Sequence, residues 1–174
     1  MAKNNQGKVF EEQIKKSVPD YVLLYRIPDS AQSFGHTDYL RFSAKNPFDY
    51  LLWDSKKHIL YALELKSMDG KSISFDRSPS DKGGKIHYHQ ILGLNNWSKY
   101  DGIICGFLIE FRQIETTIFL EISEFNRLIG IIPKKSFNFD DLEKCGIDYT
   151  IVEQQKARTR YTYNIEKLLE STHT

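Results

Sequence analysis

The chain has 174 residues, of which 40% are hydrophobic and 27% charged, enough for one domain with a proper core. No stretch approaches the ~20 apolar residues of a membrane helix, and the polar start from Met1 to Phe10 is no signal peptide. Two cysteines, Cys105 and Cys145, are too few for a disulfide framework or a zinc site, and read as reduced residues of a cytoplasmic protein. The net charge of +1 neither supports nor excludes a nucleic-acid partner. Basic residues do gather locally, at Lys15–Lys16, Lys56–Lys57, Lys82 with Lys85, Lys134–Lys135, and Lys156 with Arg158 and Arg160.

Phe10, Ile14 and Val18 recur at four-residue spacing and predict a helix over 8–18, ended by Pro19 and Asp20. A strand follows over 21–27. The polar, broken segment 28–46 reads as a loop or short stalk. Phe48–Trp53 and Ile59–Leu65, separated by a polar turn, predict an antiparallel hairpin. Ile59, Tyr61, Leu63 and Leu65 oppose Leu60 and Ala62, so the second strand is apolar on both faces and is expected at the centre of a sheet. The Gly-, Ser-, Asp- and Lys-rich stretch 67–85 reads as a long flexible loop. A helix is expected over 86–99, a second hairpin over 103–111 and 116–122, and a short helix over 124–129 with Ser123 as its N-cap. Another short helix over 140–144 stops at Gly146, an edge strand covers 160–164, and a helix over 165–170 closes the chain. This order predicts an α/β fold, a mixed sheet flanked by helices, in a single domain spanning 1–174.

Asp49, Glu64 and Lys66 stand out. Asp49 opens the first strand of the central hairpin, and Glu64 and Lys66 lie near the end of the second. Residues two apart on a strand share a face, so two carboxylates and an ammonium meet at one end of a buried sheet. Mg²⁺ favours such oxygens and keeps several waters. Asp49 and Glu64, helped by the backbone carbonyl of Leu65, would hold the metal, which polarises a phosphodiester and acidifies water. Lys66 would orient that water or offset charge on the phosphate. The bland alternative is a salt bridge at a strand end, but charge on so apolar a strand is costly to bury. Asp54-x-Lys56 and Asp69-x-Lys71 repeat the acid-x-Lys pattern in turn segments, where exposed side chains lack support.

On the first helix, Glu11 borders the buried stripe and Glu12 is nearly opposite, so Glu11 is the candidate accessory acid. Both also suit the positive end of a helix dipole. Gln90 shares a helix side with His87, Ile91, Leu94 and Trp97, and an amide there needs a partner: the site, or the backbone. His87 and His89 lack metal-ligand spacing and read as structural or DNA-facing. Lys82 and Lys85 flank a Gly-Gly pair as a candidate phosphate clamp or a solvated loop.

Gly7-Lys8-Val9-Phe10-Glu11, Asp49 at a strand start, Glu64-Leu65-Lys66, His89-Gln90 opening a helix and Arg160-Tyr161-Thr162-Tyr163 near the end together resemble the RecU-type Holliday junction resolvases, within the PD-(D/E)xK nucleases. The resemblance spans nearly the whole chain and suggests a short, phage-type member. It implies a restriction-endonuclease-like core and a homodimer that nicks four-way DNA junctions symmetrically with Mg²⁺ or Mn²⁺. By the same resemblance Asp49 and Glu64 would be metal ligands, Lys66 the transition-state stabiliser, Gln90 a metal-site ligand or positioner, and Glu11 an accessory acid. Three departures stand against the junction-specific part: Pro47 where the family often has Thr, a short stalk region at 28–46 with few basic residues, and a longer loop at 67–85. A nuclease of the same superfamily acting on linear duplex, and a non-catalytic DNA-binding module, are the competing readings.

Overall fold

The structure, a computed structural model, describes residues 6–28 and 45–172. The stalk segment falls almost wholly outside these residues. Helix α1 (Gln6–Ser17) buries Phe10, Gln13 and Ile14 on one stripe, as the four-residue spacing predicts. Strands β1 (Val22–Arg26), β2 (Tyr50–Asp54) and β3 (Ile59–Met68) form an antiparallel meander. The chain then runs through β4 (Ile73–Ser74) and helix α2 (Tyr88–Trp97) to β5 (Ile103–Phe111), which pairs with β3 in parallel. Parallel neighbours need such a crossover, and α2 supplies its helix. Strands β6 (Thr116–Glu121) and β8 (Thr150–Val152) complete a six-stranded mixed sheet in the order β1-β2-β3-β5-β6-β8. Helices flank it, so the expected mixed α/β architecture is present, and it is compatible with a restriction-endonuclease-like core.

The sheet separates two apolar clusters. On one face, Phe10 and Ile14 of α1 pack with Tyr50, Tyr61, Leu63 and Leu65, joined by Leu168 and Leu169 of helix α5 (Ile165–Ser171). On the other, Ile91 and Leu94 of α2 and Phe125 and Leu128 of helix α3 (Ile122–Ile131) pack with Ala62, Met68 and Phe107. Burial on both faces explains the near-continuous apolar runs of β3 and β5.

Several local expectations are corrected. The segment 67–85 is not an open loop. Strand β3 runs on to Met68, and β4 pairs with β7 (Ser136–Phe137), burying Ile73 and Phe75 completely. Their two-residue spacing is a short strand signal hidden among Gly and Ser. Helix α3 begins before Ser123, with Glu121 at the N-cap position, because the last residue of β6 turns directly into the helix. The strand over 160–164 is β10 (Arg160–Tyr163), and it pairs with β9 (Gln154–Ala157) in a separate hairpin away from the edge of the main sheet. Helix α4 (Phe139–Lys144) starts from an Asn138–Asp141 capping box and ends near Gly146, whose φ of 59° suits glycine.

Candidate active site

Strand alternation places Glu64 and Lys66 together, and Lys66 Nζ donates to Glu64 Oε1 at 2.6 Å. Asp49, just before β2, clasps the same stretch of β3. Its N–H donates to the Leu63 carbonyl (3.1 Å) and its Oδ2 accepts from the Leu65 N–H (3.0 Å). Leu65 is thereby fixed on both sides of its backbone neighbours, with its side chain in the α1-facing cluster. From the other face α2 brings Gln90, whose Nε2 donates to Glu64 Oε1. Gln90 Oε1 accepts from the His87 N–H (2.9 Å), which locks the amide at the helix start. The partner that a buried glutamine requires is therefore Glu64 on one side and backbone on the other.

Glu64 is 1% exposed at its side chain and Lys66 only 12%. Burial pushes the Glu64 carboxyl up to about 8; the Lys66 ammonium pulls it down and the Asp49 carboxylate pushes it up again. Oxygen Oε1 is occupied by Lys66 and Gln90, while Oε2 is buried with no donor among the described residues. A proton on Oε2 answers that deficit by bonding to Asp49, and a cation between the two carboxylates answers it equally well. Among the described residues no cluster of three or more His, Cys, Asp or Glu side chains gathers. Two carboxylates and a backbone carbonyl suit an ion that retains several waters, as Mg²⁺ does, and do not suit structural Zn²⁺. The residues present fit a hard divalent cation held by Asp49, Glu64 and the Leu65 carbonyl, with Gln90 steering Glu64.

Glu11 is placed elsewhere. Its Oε2 accepts from Tyr50 Oη (3.1 Å) and from Arg26 Nε (3.4 Å). Tyr50 belongs to the α1-facing cluster, whereas Glu64 meets α2, so the structure brings Gln90 and not Glu11 onto Glu64. Glu12 is exposed, as the helix wheel predicts. The two turn acids differ from each other. Asp69 is exposed and paired with Arg112, whereas Asp54 is 2% exposed because its Oδ1 takes the Lys56 and Lys57 N–H groups (2.9 and 3.2 Å). Asp54 builds the turn, which corrects its reading as an exposed residue.

Three features escaped the sequence reading. Asp76, 5% exposed, accepts from the Gly84 N–H (2.8 Å) and meets His87 Nδ1 (3.2 Å), tying the segment before α2 to its first turn. Its signal was its place right after the Ile73–Phe75 alternation. Lys85 Nζ donates to the Ser67 carbonyl, so Lys85 braces the loop on β3 and does not face Lys82 as half of a clamp. On the opposite sheet face Glu110, also buried, accepts from Ser67 Oγ (2.5 Å) and Tyr163 Oη (3.1 Å), joining β3, β5 and β10. Burial and the Glu110 charge raise the Tyr163 phenol well above its usual range.

The fold is thus a mixed α/β sheet with a buried acidic, lysine-bearing cluster on its central strand β3, which runs past Glu64 to Met68. No model of a known protein family matches the chain. It is 36% identical over 182 aligned positions to the "SPbeta prophage-derived uncharacterized protein YotM" of Bacillus subtilis (strain 168), covering 97% of this chain and 87% of that protein. The chain belongs to the same family as this prophage protein. Among the described residues no helix is long and apolar enough to cross a membrane.

Proposed function

We propose that this protein is a divalent-metal-dependent DNA endonuclease of the PD-(D/E)xK type, acting as a homodimer on four-way junctions in the cytoplasm. The observation that carries the nuclease reading is the buried Glu64 carboxyl, with one oxygen unsatisfied, beside Asp49 and in contact with Lys66 and Gln90. A protein that needed only stability would lose nothing by replacing so costly a group with an apolar one. The junction as substrate rests on the resemblance to the RecU-type resolvases, and the prophage origin in the relative's name agrees with a phage-borne enzyme.

When bound, Mg²⁺ or Mn²⁺ supplies positive charge against the scissile phosphate and makes water more acidic. The chain's own groups do the rest. Asp49 and Glu64 would hold the cation. Lys66, partly exposed at the cleft, sets an ammonium against charge that develops on the phosphate. Gln90 holds Glu64 Oε1, which would leave Oε2 to the cation. The β3–β5 core beneath keeps these groups rigid.

Cleavage of a labelled synthetic four-way junction with Mg²⁺, beside linear duplex of the same arms, tests this for wild type and Asp49→Asn. Paired junction nicks that the mutant lacks are the expected result. Equal cutting of linear duplex would replace the junction reading with a broader nuclease, and no cutting of either substrate would remove the nuclease reading.

A further inference from the structure

A concavity lies between the turn at 76–83 and the first residues of α2. Lys45, Asp76, Asp81, Lys82, His87 and His89 line it. Both acids are already matched. Asp76 is taken by the Gly84 N–H and His87 Nδ1. Asp81 accepts from the Arg77 N–H (2.8 Å) and from Lys135 Nζ (2.7 Å). Lys45 and Lys82 are exposed and, among the described residues, have no ion-pair partner. The His87 and His89 rings stack with centroids 5.5 Å apart and planes 14° from parallel. The concavity thus carries uncompensated positive charge and imidazole donors.

Its walls are built to last. A β carbon on Gly84 would stand 2.5 Å from Asp76 Oδ1, so only glycine lets the loop close on Asp76. Lys85 Nζ anchors the far end of the loop to the Ser67 carbonyl, one residue past Lys66. His89 directly precedes Gln90, whose amide touches Glu64. The concavity therefore adjoins the Glu64–Lys66 site through the start of α2 and the end of the loop.

We propose that the concavity seats a further backbone phosphate of the DNA strand that is cut, held by Lys45 and Lys82 with His87 and His89. That this strand is the one cut rests on the nuclease reading, but the seat itself binds DNA whether or not the Glu64 site is catalytic. It assigns the phosphate contact to Lys82 and Lys45, and leaves Lys85 a structural brace.

The test measures DNA binding in EDTA, where no metal supports cleavage, by fluorescence anisotropy of a labelled four-way junction across a salt series. Lys45→Ala/Lys82→Ala is compared with wild type and with Lys99→Ala/Lys144→Ala, which removes two exposed lysines elsewhere. The seat variant is expected to bind about tenfold more weakly near 0.1 M salt, with a log–log salt slope shallower by about one to two. The control is expected to match wild type. Unchanged affinity and slope in the seat variant overturns the seat, and Mg²⁺-dependent cleavage by wild type then keeps the nuclease reading. Weakened binding in the seat variant with no cleavage by wild type on any DNA keeps the seat and removes the nuclease reading. Wild type that binds no DNA overturns both.

Discussion

Gly93 of α2 lies against Pro47 with no room for a side chain: a β carbon there would stand 2.4 Å from Pro47 Cβ and 2.7 Å from its carbonyl oxygen. Pro47 lies two residues before Asp49, and Gly93 lies one helical turn after Gln90. This close approach sets how near α2 comes to the sheet, and so how Gln90 reaches Glu64. Proline at position 47 lacks the side-chain oxygen of a threonine, but it has a packing role.

Gly93→Ala should push α2 outward. The overpacking cost is about 1–3 kcal/mol, read from urea unfolding. Because Gln90 moves with the helix, DNA cleavage should fall by more than the loss of folded protein explains. Full activity in a destabilised variant would separate the helix position from the site.

The raised Glu64 carboxyl links stability to pH. In the unfolded chain it ionises near its ordinary 4.5, whereas in the fold it keeps its proton up to about 8. Between these values the folded state binds more protons, so stability falls as pH rises through that window. Metal-free protein should lose on the order of 3 kcal/mol, or about 6–12 °C in Tm, between pH 5 and 8. Glu64→Gln should flatten that dependence and be the more stable protein at pH 8. Thermal scans in EDTA decide it, and a Tm that rises with pH in wild type alone would refute the burial argument.

A cation held by Asp49 and Glu64, as proposed, would have to displace that proton. Mg²⁺ affinity is therefore expected to rise with pH up to about 8 and level off above it. Below pH 8 each binding event should release close to one proton. Calorimetric titration in buffers of different ionisation heat measures this directly, and Asp49→Asn should abolish the heat.

Lys66 opposes the upward push on Glu64. Lys66→Met should move the Glu64 titration to higher pH in the same thermal scans. It should also lower cleavage by about 10²–10³-fold if its ammonium stabilises charge on the phosphate. Lys66→Arg keeps the charge but not the compact geometry, and is expected to restore the titration more than the cleavage.

The two cysteines should differ in reactivity. Cys105 is 1% exposed, and burial pushes its thiol up to about 12. Cys145 is half-buried at the end of α4. Native protein treated with iodoacetamide should be modified at Cys145 and spared at Cys105, as mass spectrometry of peptides would reveal.

Much of this was legible in the chain because the causes are local. Apolar residues on both faces of 59–65 marked β3 as a central strand, and the two-residue strand period set Glu64 and Lys66 on one face, where they pair at 2.6 Å. Four-residue spacing marked α1, and the run Ile103–Phe111 marked β5 to the residue. Asp49, just before β2, could be matched to β3 because hairpins pair neighbours.

What only the tertiary structure decided depends on segments far apart in sequence. Gln90 meets Glu64 across 26 residues, and Glu11 is drawn to Tyr50 and Arg26 on the other sheet face. Ile73 and Phe75 are buried by the distant Phe125 and Phe137, which turned an apparent loop into a wall of the core. The height of the Glu64 carboxyl belongs here too. Periodicity and capping act over one or two turns, and a sequence displays them. Desolvation and packing sum over every element that closes around a group, so they exist only once the chain has folded.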